Sequence, residues 1–227
     1  MAKDTVRLHF LGGAPRVCKS TLAKQFSDQH NVAVIHCDEV RADLWKRYGN
    51  RRDEFPELFQ MVVDNEYIRD NEARWFELAK QPGYIQERQR RMLSEVWRLG
   101  ILPEIERYAL SGTSVIFEGA PLYPQLVAEL PYLVHYVCVG TQQDQARHMI
   151  RHARENPETD WMGKWSDKRI TFYAALQEVM SRDLHIEALR HGLRYVEMSG
   201  NNYLAKRQAV LDLLVSDASL TATLVAH

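Results

Sequence analysis

Within LHFLGGAPRVCKSTLAKQF, residues 8–26, Gly13, Lys19 and Ser20 stand in the order and spacing G-x-x-x-x-x-K-S. Those types in that order suit a run of phosphates. A tight turn lets backbone N–H groups converge on the anion, an amine reaches the outer phosphates, and a hydroxyl ligates Mg²⁺. Gly13, Ala14, Pro15, Arg16, Val17, Cys18, Lys19, Ser20 and Thr21 are therefore the candidate cradle, with Lys19 acting on the transferred group and Ser20 on the metal. Thr21 reads as the structural member of the set. A strand-to-helix turn without a ligand is the bland alternative, and the paired Gly12 and Gly13 between an apolar run and an amphipathic one weigh against it.

One letter departs from the full pattern G-x-x-x-x-G-K-[ST], because Cys18 replaces the second glycine. If that position needs a left-handed backbone, a β-carbon costs roughly 1–2 kcal/mol, on the order of ten-fold in affinity. A thiol at a helix N-terminus beside Lys19 also sits where cysteines react with oxidants. A redox gate and a tolerated substitution both remain open, and the second needs fewer assumptions.

Further chemistry is carried by acids and arginines placed after apolar runs. Asp38 and Arg41 follow VIHC, one helical turn apart, where Asp38 could orient or deprotonate an acceptor hydroxyl and Arg41 could hold an anion. An N-cap with a surface partner is the competing reading of that pair. Glu118 closes VIF and suits either a Mg²⁺ or substrate-hydroxyl contact or a simple turn cap. Arg147, Arg151 and Arg154 fall at i, i+4, i+7 and lead to Lys164, Lys168 and Arg169 in a polar stretch. Arginines on one face can close over a triphosphate, and a solvated face is the alternative. His148 and His152 lack an acidic or cysteine partner at ligand spacing, so they read as surface residues.

The elements that must position these groups are legible as alternating patterns. Branched apolar runs recur at 5–12, 31–37, 113–119, 132–140 and 193–200, separated by segments of helical spacing. That is the signature of a mostly parallel sheet covered on both faces. The first helix should start at Lys19 or Ser20 and bury Leu22 and Phe26. The second and third strands lie about 75 residues apart, far more than one crossover helix needs. The chain thus reads as one domain over 1–227, with a helical substrate cap at 44–110 and a lid region at 141–169. Gly100 and Pro103 should break or kink the cap's second helical run. Trp45, Trp75 and Trp97 read as cap packing, and Trp161 and Trp165 flank the lid. The tail after Ser216 has little to bury.

Composition narrows the partners. The formal net charge is -1 over 227 residues, which gives no global attraction for nucleic acid or anionic membrane. Cys18, Cys37 and Cys138 form no CxxC pair, and two of them lie in expected strands, so a secreted disulfide framework is not expected. No run approaches the ~18 apolar residues of a membrane span. These observations point to a cytoplasmic protein with a small-molecule partner and no nucleic-acid partner.

GGAPRVCKSTLA, Asp38 with Arg41 after the second strand, and an arginine-bearing segment after the fourth occur in an order that resembles the small P-loop kinases of the adenylate kinase-like group. VIFEGAPLYP looks similar to the corresponding segment of 2-phosphoglycerate kinase-like proteins, and the Asp38 arrangement is similar to that of zeta toxins and chloramphenicol phosphotransferase. The resemblance runs over about residues 5–215. It implies an α/β fold with five parallel strands in the order 2-3-1-4-5, ATP and Mg²⁺ as cofactors, and γ-phosphate transfer to a small-molecule hydroxyl. By position it implies phosphate and metal binding at Lys19 and Ser20, an acceptor-side base at Asp38, and lid residues at Arg147 and Arg151. A nucleotide-binding protein with a loop weakened by Cys18 and no turnover is the alternative.

Overall fold

The structure is a computed structural model that describes residues 7–68, 71–81, 83, 87 and 94–216. In chain order it forms β1 (Leu8–Gly13), α1 (Lys19–His30), β2 (Ala33–His36), α2 (Cys37–Tyr48), α3 (Pro56–Ile68) and α4 (Glu72–Ala79). A π-helical turn at Trp97–Ile101 then leads into α5 (Leu102–Ser111), β3 (Val115–Glu118), α6 (Pro124–Ala128) and β4 (Val134–Gly140). The chain finishes with α7 (Gln145–Glu155), α8 (Asp167–Arg190), β5 (Arg194–Glu197) and α9 (Tyr203–Val215). It divides into two compact units, residues 1–35 with 112–227, and residues 36–111.

The first unit is built on a five-stranded sheet in the order β2-β3-β1-β4-β5, the order expected. All six residues of β1 are buried, as a strand covered on both faces requires. It pairs in parallel with β3, Leu11 opposite Glu118, and with β4, His9 opposite His135 and Gly13 opposite Val139. β5 extends the sheet through Gly140 opposite Glu197. Parallel pairing brings Gly13, Glu118, Gly140 and Glu197 to the carboxyl ends, the edge where open α/β sheets bind ligands. Phe10, Leu11, Leu22, Phe26, Ile116 and Phe117 are fully buried beneath it, each large side chain stabilising by roughly 1.5–3 kcal/mol. α1 begins at Lys19 and buries Leu22, Ala23 and Phe26 on one face, and left-handed Asn31 ends it.

Among the described residues, most strand ends differ from the sequence expectation by one to three residues, while β4 ends at Gly140 as expected. The clearest case is Cys37, expected in a strand but found as the first residue of α2. Asp38 and Glu39 in the first turn favour a helix N-terminus at that point, and extended His36 occupies the cap position that Asp38 was a candidate for.

The second unit is helical. Cys37, Leu44, Leu58, Trp75, Val96, Trp97, Ile101 and Ile105 are its buried apolar side chains among the described residues, whereas Trp45 is half-buried beneath the Arg41 guanidinium, 5.3 Å from its ring centroid. The buried carboxylate of Glu95 accepts the Leu58 N–H at 2.9 Å and so caps the first turn of α3 from a distant segment. Gly100 and Pro103 coincide with the π turn. The Leu102 N–H donates to Trp97 O, five residues back, and Pro103 has no N–H to restore the four-residue ladder. Of the expected second helical run of the cap, residues 84–86 and 88–93 lie outside the described residues, as does the tail after Ser216.

Candidate functional site

The candidate cradle is a loop whose backbone turns left-handed twice. β1 ends at Gly13 with φ 132, where the Ala14 N–H donates to Val139 O at 3.1 Å. A β-carbon on Gly13 would lie 1.9 Å from that same carbonyl, so β4 approaches too closely for any side chain. Arg16 and Cys18 then adopt φ 64 and φ 60, a conformation costly for residues other than glycine. Cys18 is the N-cap of α1, its thiol exposed and making no cap hydrogen bond. Lys19 is buried and folds back, Nζ donating to Ala14 O at 2.6 Å. The ammonium thus arches over the loop while the first-turn N–H groups of α1 and the positive end of its dipole face the loop opening.

Beneath the loop, Ser20 Oγ donates to Glu118 Oε1 at 3.1 Å. Glu118 is buried at the carboxyl end of β3, next to β1 in the sheet. The turn beyond it is closed by backbone, the Gly119 N–H donating to Leu11 O at 3.2 Å. The two residues were singled out separately in the sequence, and their pairing across 98 positions depends on β3 lying beside β1.

The segment at 141–169, expected to form a lid, is more structured than its polar sequence suggests. Arg147 and Arg151 are exposed on α7, with Arg151 Nη2 3.0 Å from His148 Nδ1. Arg154 leaves that stripe: it donates to Gly163 O at 2.9 Å and to Trp165 O and Asp167 Oδ1 at 2.6 Å, fixing the turn between α7 and α8. Lys168 and Arg169, expected in a loop, lie in the first turn of α8, which Ser166 caps through the Arg169 N–H. Arg169 is buried over the Trp165 ring at 3.9 Å. Trp161, Trp165 and Tyr173 meet edge to face at 4.8–5.7 Å. Met149, Ala153, Met162, Ile170 and Ala174 give the segment a small core of its own.

His152 does find an acid, with Nδ1 2.7 Å from Asp160 Oδ2. Asp160 also accepts the Met162 N–H at 2.8 Å and the Arg16 guanidinium. Burial pushes the Asp160 carboxyl up, but these three donors outweigh it and hold the group below the usual carboxylate value. Two further contacts reach the cradle from the same region. Gln145 Nε2 donates to Pro15 O at 3.2 Å, and Arg16 lies 5.3 Å from the Trp161 ring centroid. Asp160 and Gln145 carry no signal in the sequence, since each sits in a polar stretch and its partner in the cradle is more than 100 positions away.

Next to the cradle, burial and then a hydrogen bond with Cys18 push the Tyr203 hydroxyl up to about 12. Burial also pushes the Cys138 thiol up to about 12, which leaves it inert and Cys18 the accessible thiol. At the ends of β4 and β5, Glu197 accepts the Gln142 N–H at 3.1 Å, the Ser199 N–H at 2.9 Å and the Tyr195 hydroxyl at 3.0 Å.

Asp38 and Arg41 belong to the second unit. They form an ion pair at 3.1 Å on successive turns of α2, without aligned hydrogen-bond geometry at Asp38 Oδ1. The structure therefore brings Lys19, Ser20 and Glu118 together in one unit, and Asp38 and Arg41 together in the other.

A central β1, the strand order 2-3-1-4-5 and a loop of this shape leading into α1 define the fold. It is an α/β fold of the P-loop type. No family model and no curated protein matches the chain. Solved structures similar to it include dephospho-CoA kinase from Campylobacter jejuni, 10% identical with a TM-score of 0.43 over 91% of this chain and 94% of that one. Shikimate kinase from Bacteroides thetaiotaomicron is 13% identical with a TM-score of 0.44, covering 92% and 96%. TT1252 from Thermus thermophilus is 14% identical with a TM-score of 0.46, covering 93% and 97%. The sheet order and the loop carry the fold assignment without help from these distant likenesses.

Proposed function

We propose that this chain is an ATP-dependent phosphotransferase that moves the γ-phosphate of ATP to a hydroxyl of a small molecule. The observation that carries the reading is the Ser20–Glu118 pair directly after a loop over which Lys19 is folded. A hydroxyl beside a carboxylate offers hard oxygen donors of the kind Mg²⁺ takes, with water filling the remaining positions. The donor set thus fits a Mg²⁺-nucleotide, Ser20 as direct ligand and Glu118 through water. A Mg²⁺ held by Ser20, and through water by Glu118, would supply positive charge against the negative charge that builds during transfer.

The chain's own residues then divide the work. The cradle from Gly13 to Thr21 holds the phosphates through its N–H groups from Arg16 onward, since Pro15 has none and that of Ala14 is given to Val139 O, and Lys19 exchanges its bond to Ala14 O for the β- and γ-oxygens. Asp38 orients the acceptor hydroxyl and takes its proton, and Arg41 holds an anionic group of the acceptor. Arg147 and Arg151, exposed on α7, add positive charge and exclude water when the lid region covers the nucleotide. The helical segment at 44–110 selects the acceptor. Among the described residues no helix is long and apolar enough to cross a membrane, and a cytoplasmic small-molecule kinase without a nucleic-acid or membrane partner is the setting we propose.

Calorimetry with Mg·ATP tests the reading, followed by transfer from γ-labelled ATP to a panel of small hydroxyl compounds. Wild type should bind and label an acceptor, whereas Lys19→Ala should lose transfer with an unchanged melting temperature. Unchanged turnover in that variant, or no binding by wild type, overturns the assignment. The left-handed backbone at Cys18 favours one second reading, a nucleotide-binding protein without turnover. It is distinguished by binding that yields no labelled product from any acceptor.

A further inference from the structure

Two consecutive residues of the cradle are gripped by one segment of the chain. Pro15 O accepts from Gln145, and the Arg16 guanidinium is paired with Asp160 and lies over Trp161. All three gripping residues belong to the lid region, and all lie in the same compact unit as the cradle. Arg16 is one of two non-glycine residues in the loop with a left-handed backbone. Such a conformation persists only where the surroundings over-determine it, and the side chain of Arg16 is where those surroundings act.

Asp160 is built for that task. Its side chain is wholly inaccessible to solvent, a place where a carboxylate must be paired to remain charged. One oxygen accepts Arg16 and the Met162 N–H, the other accepts His152. The Met162 bond fixes the carboxylate in its own turn, and His152 ties that turn to α7. The guanidinium therefore meets an acceptor that is already fixed, so little entropy is lost on pairing.

We infer that Asp160 is a positioning residue: presented from the lid region, it clamps Arg16 and holds the phosphate loop in its anion-receiving shape, so that phosphate binding and the placement of the lid are coupled. Its part in nucleotide binding rests on the function proposed above, whereas the clamp itself does not. By linkage, whatever phosphate binding gains from an ordered lid, lid order gains from phosphate binding.

Hydrogen exchange of the ligand-free protein tests the clamp. In Asp160→Asn the amides of residues 14 and 16–18 and those of 145–156 and 158–165 should exchange faster together, and Arg16→Gln should produce the same pattern. Arg16→Lys, which keeps the charge without the planar fork, should fall between wild type and Arg16→Gln. Mg·ATP calorimetry on the same proteins should show about a ten-fold loss in Asp160→Asn, with the Asp160→Asn/Arg16→Gln double variant no weaker than either single one. Melting temperatures identify a variant that has failed to fold, and in that event Arg16→Lys and Trp161→Ala supply the exchange comparison. Loop exchange unchanged in the variants, or losses that simply add in the double variant, would overturn the clamp. A wild type that binds no nucleotide overturns the proposed function and leaves the exchange pattern to decide the clamp.

Discussion

Cys18 has glycine's backbone and a side chain that glycine lacks. Its φ of 60 costs a β-carbon about 1 kcal/mol that glycine does not pay. Relief of that strain in Cys18→Gly should appear either as a melting temperature raised by roughly 2–4 °C or as a Mg·ATP affinity raised by up to about five-fold. Side-by-side calorimetry and thermal melts of the two proteins check both numbers. The opposite change at Gly13 should be severe. A methyl group there would sit inside the van der Waals radius of Val139 O at a φ of 132, and Gly13→Ala should not yield a folded protein at 37 °C, read by circular dichroism. Such local demands were legible in the sequence, because Gly13, Lys19 and Ser20 lie within a single turn and the helix start that follows it. The Arg16–Asp160 pair was not, since 144 positions separate its members and only the folding of the segment between α7 and α8 brings them together.

At the scale of elements, the apolar runs located every strand among the described residues, most plainly β1, β3 and β4, because a covered parallel strand has no polar face to confuse the pattern, whereas β2 and β5 at the sheet's edges are only partly buried. Their ends were less legible. Nothing in NVAVIHC marks where extension stops, and the acids that start α2 come only after it. The helical unit posed a different difficulty, since Gly100 and Pro103 announce a break without saying what form it takes. The π turn answers that, and it also makes Gly100 a packing residue. A β-carbon at Gly100 would meet Val40 Cγ1 at 2.6 Å and Leu44 Cδ1 at 2.9 Å. These are flexible side-chain ends, so Gly100→Ala should cost about 1–3 kcal/mol rather than abolish folding, seen as a lower denaturant midpoint. Ser166→Ala removes the side-chain acceptor at the start of α8 and should cost about 1 kcal/mol while raising exchange in the 163–169 turn.

For the molecule as a whole, acid should be destabilising, and His9 is the reason that can be named first. Burial against its neighbours pushes the ring from its ordinary value of 6.5 down to about 4, a bond to Leu214 O opposing the shift and His135 adding to it. The unfolded chain therefore takes up the proton first. This stabilisation is complete above pH about 6.5 and is lost progressively as the pH falls towards 4. Asp160, held low, acts in the same direction in the carboxylate range, whereas Asp183, held high by burial, opposes both. Melting at pH 7.5 and pH 5 should show a drop of several degrees, and His9→Gln should flatten it. A slope unchanged in that variant would remove His9 from the account.

The same histidine sits in a cluster that bears on how this protein is handled. His9 Nδ1 lies 2.8 Å from Leu214 O and His135 Nδ1 3.2 Å from Ser216 O, while Arg194 donates to Leu213 O and Ser216 Oγ at 2.6 Å. Side chains from β1, β4 and β5 thus grip the last turn of α9 and satisfy carbonyls that a helix end leaves open. Trimming the chain back to residue 212 would strip three largely enclosed polar groups of their acceptors at once. Shortened versions that keep residue 216 retain all four contacts, so a cut or a fused tag that spares residues 213–216 leaves this grip on three strands of the sheet in place.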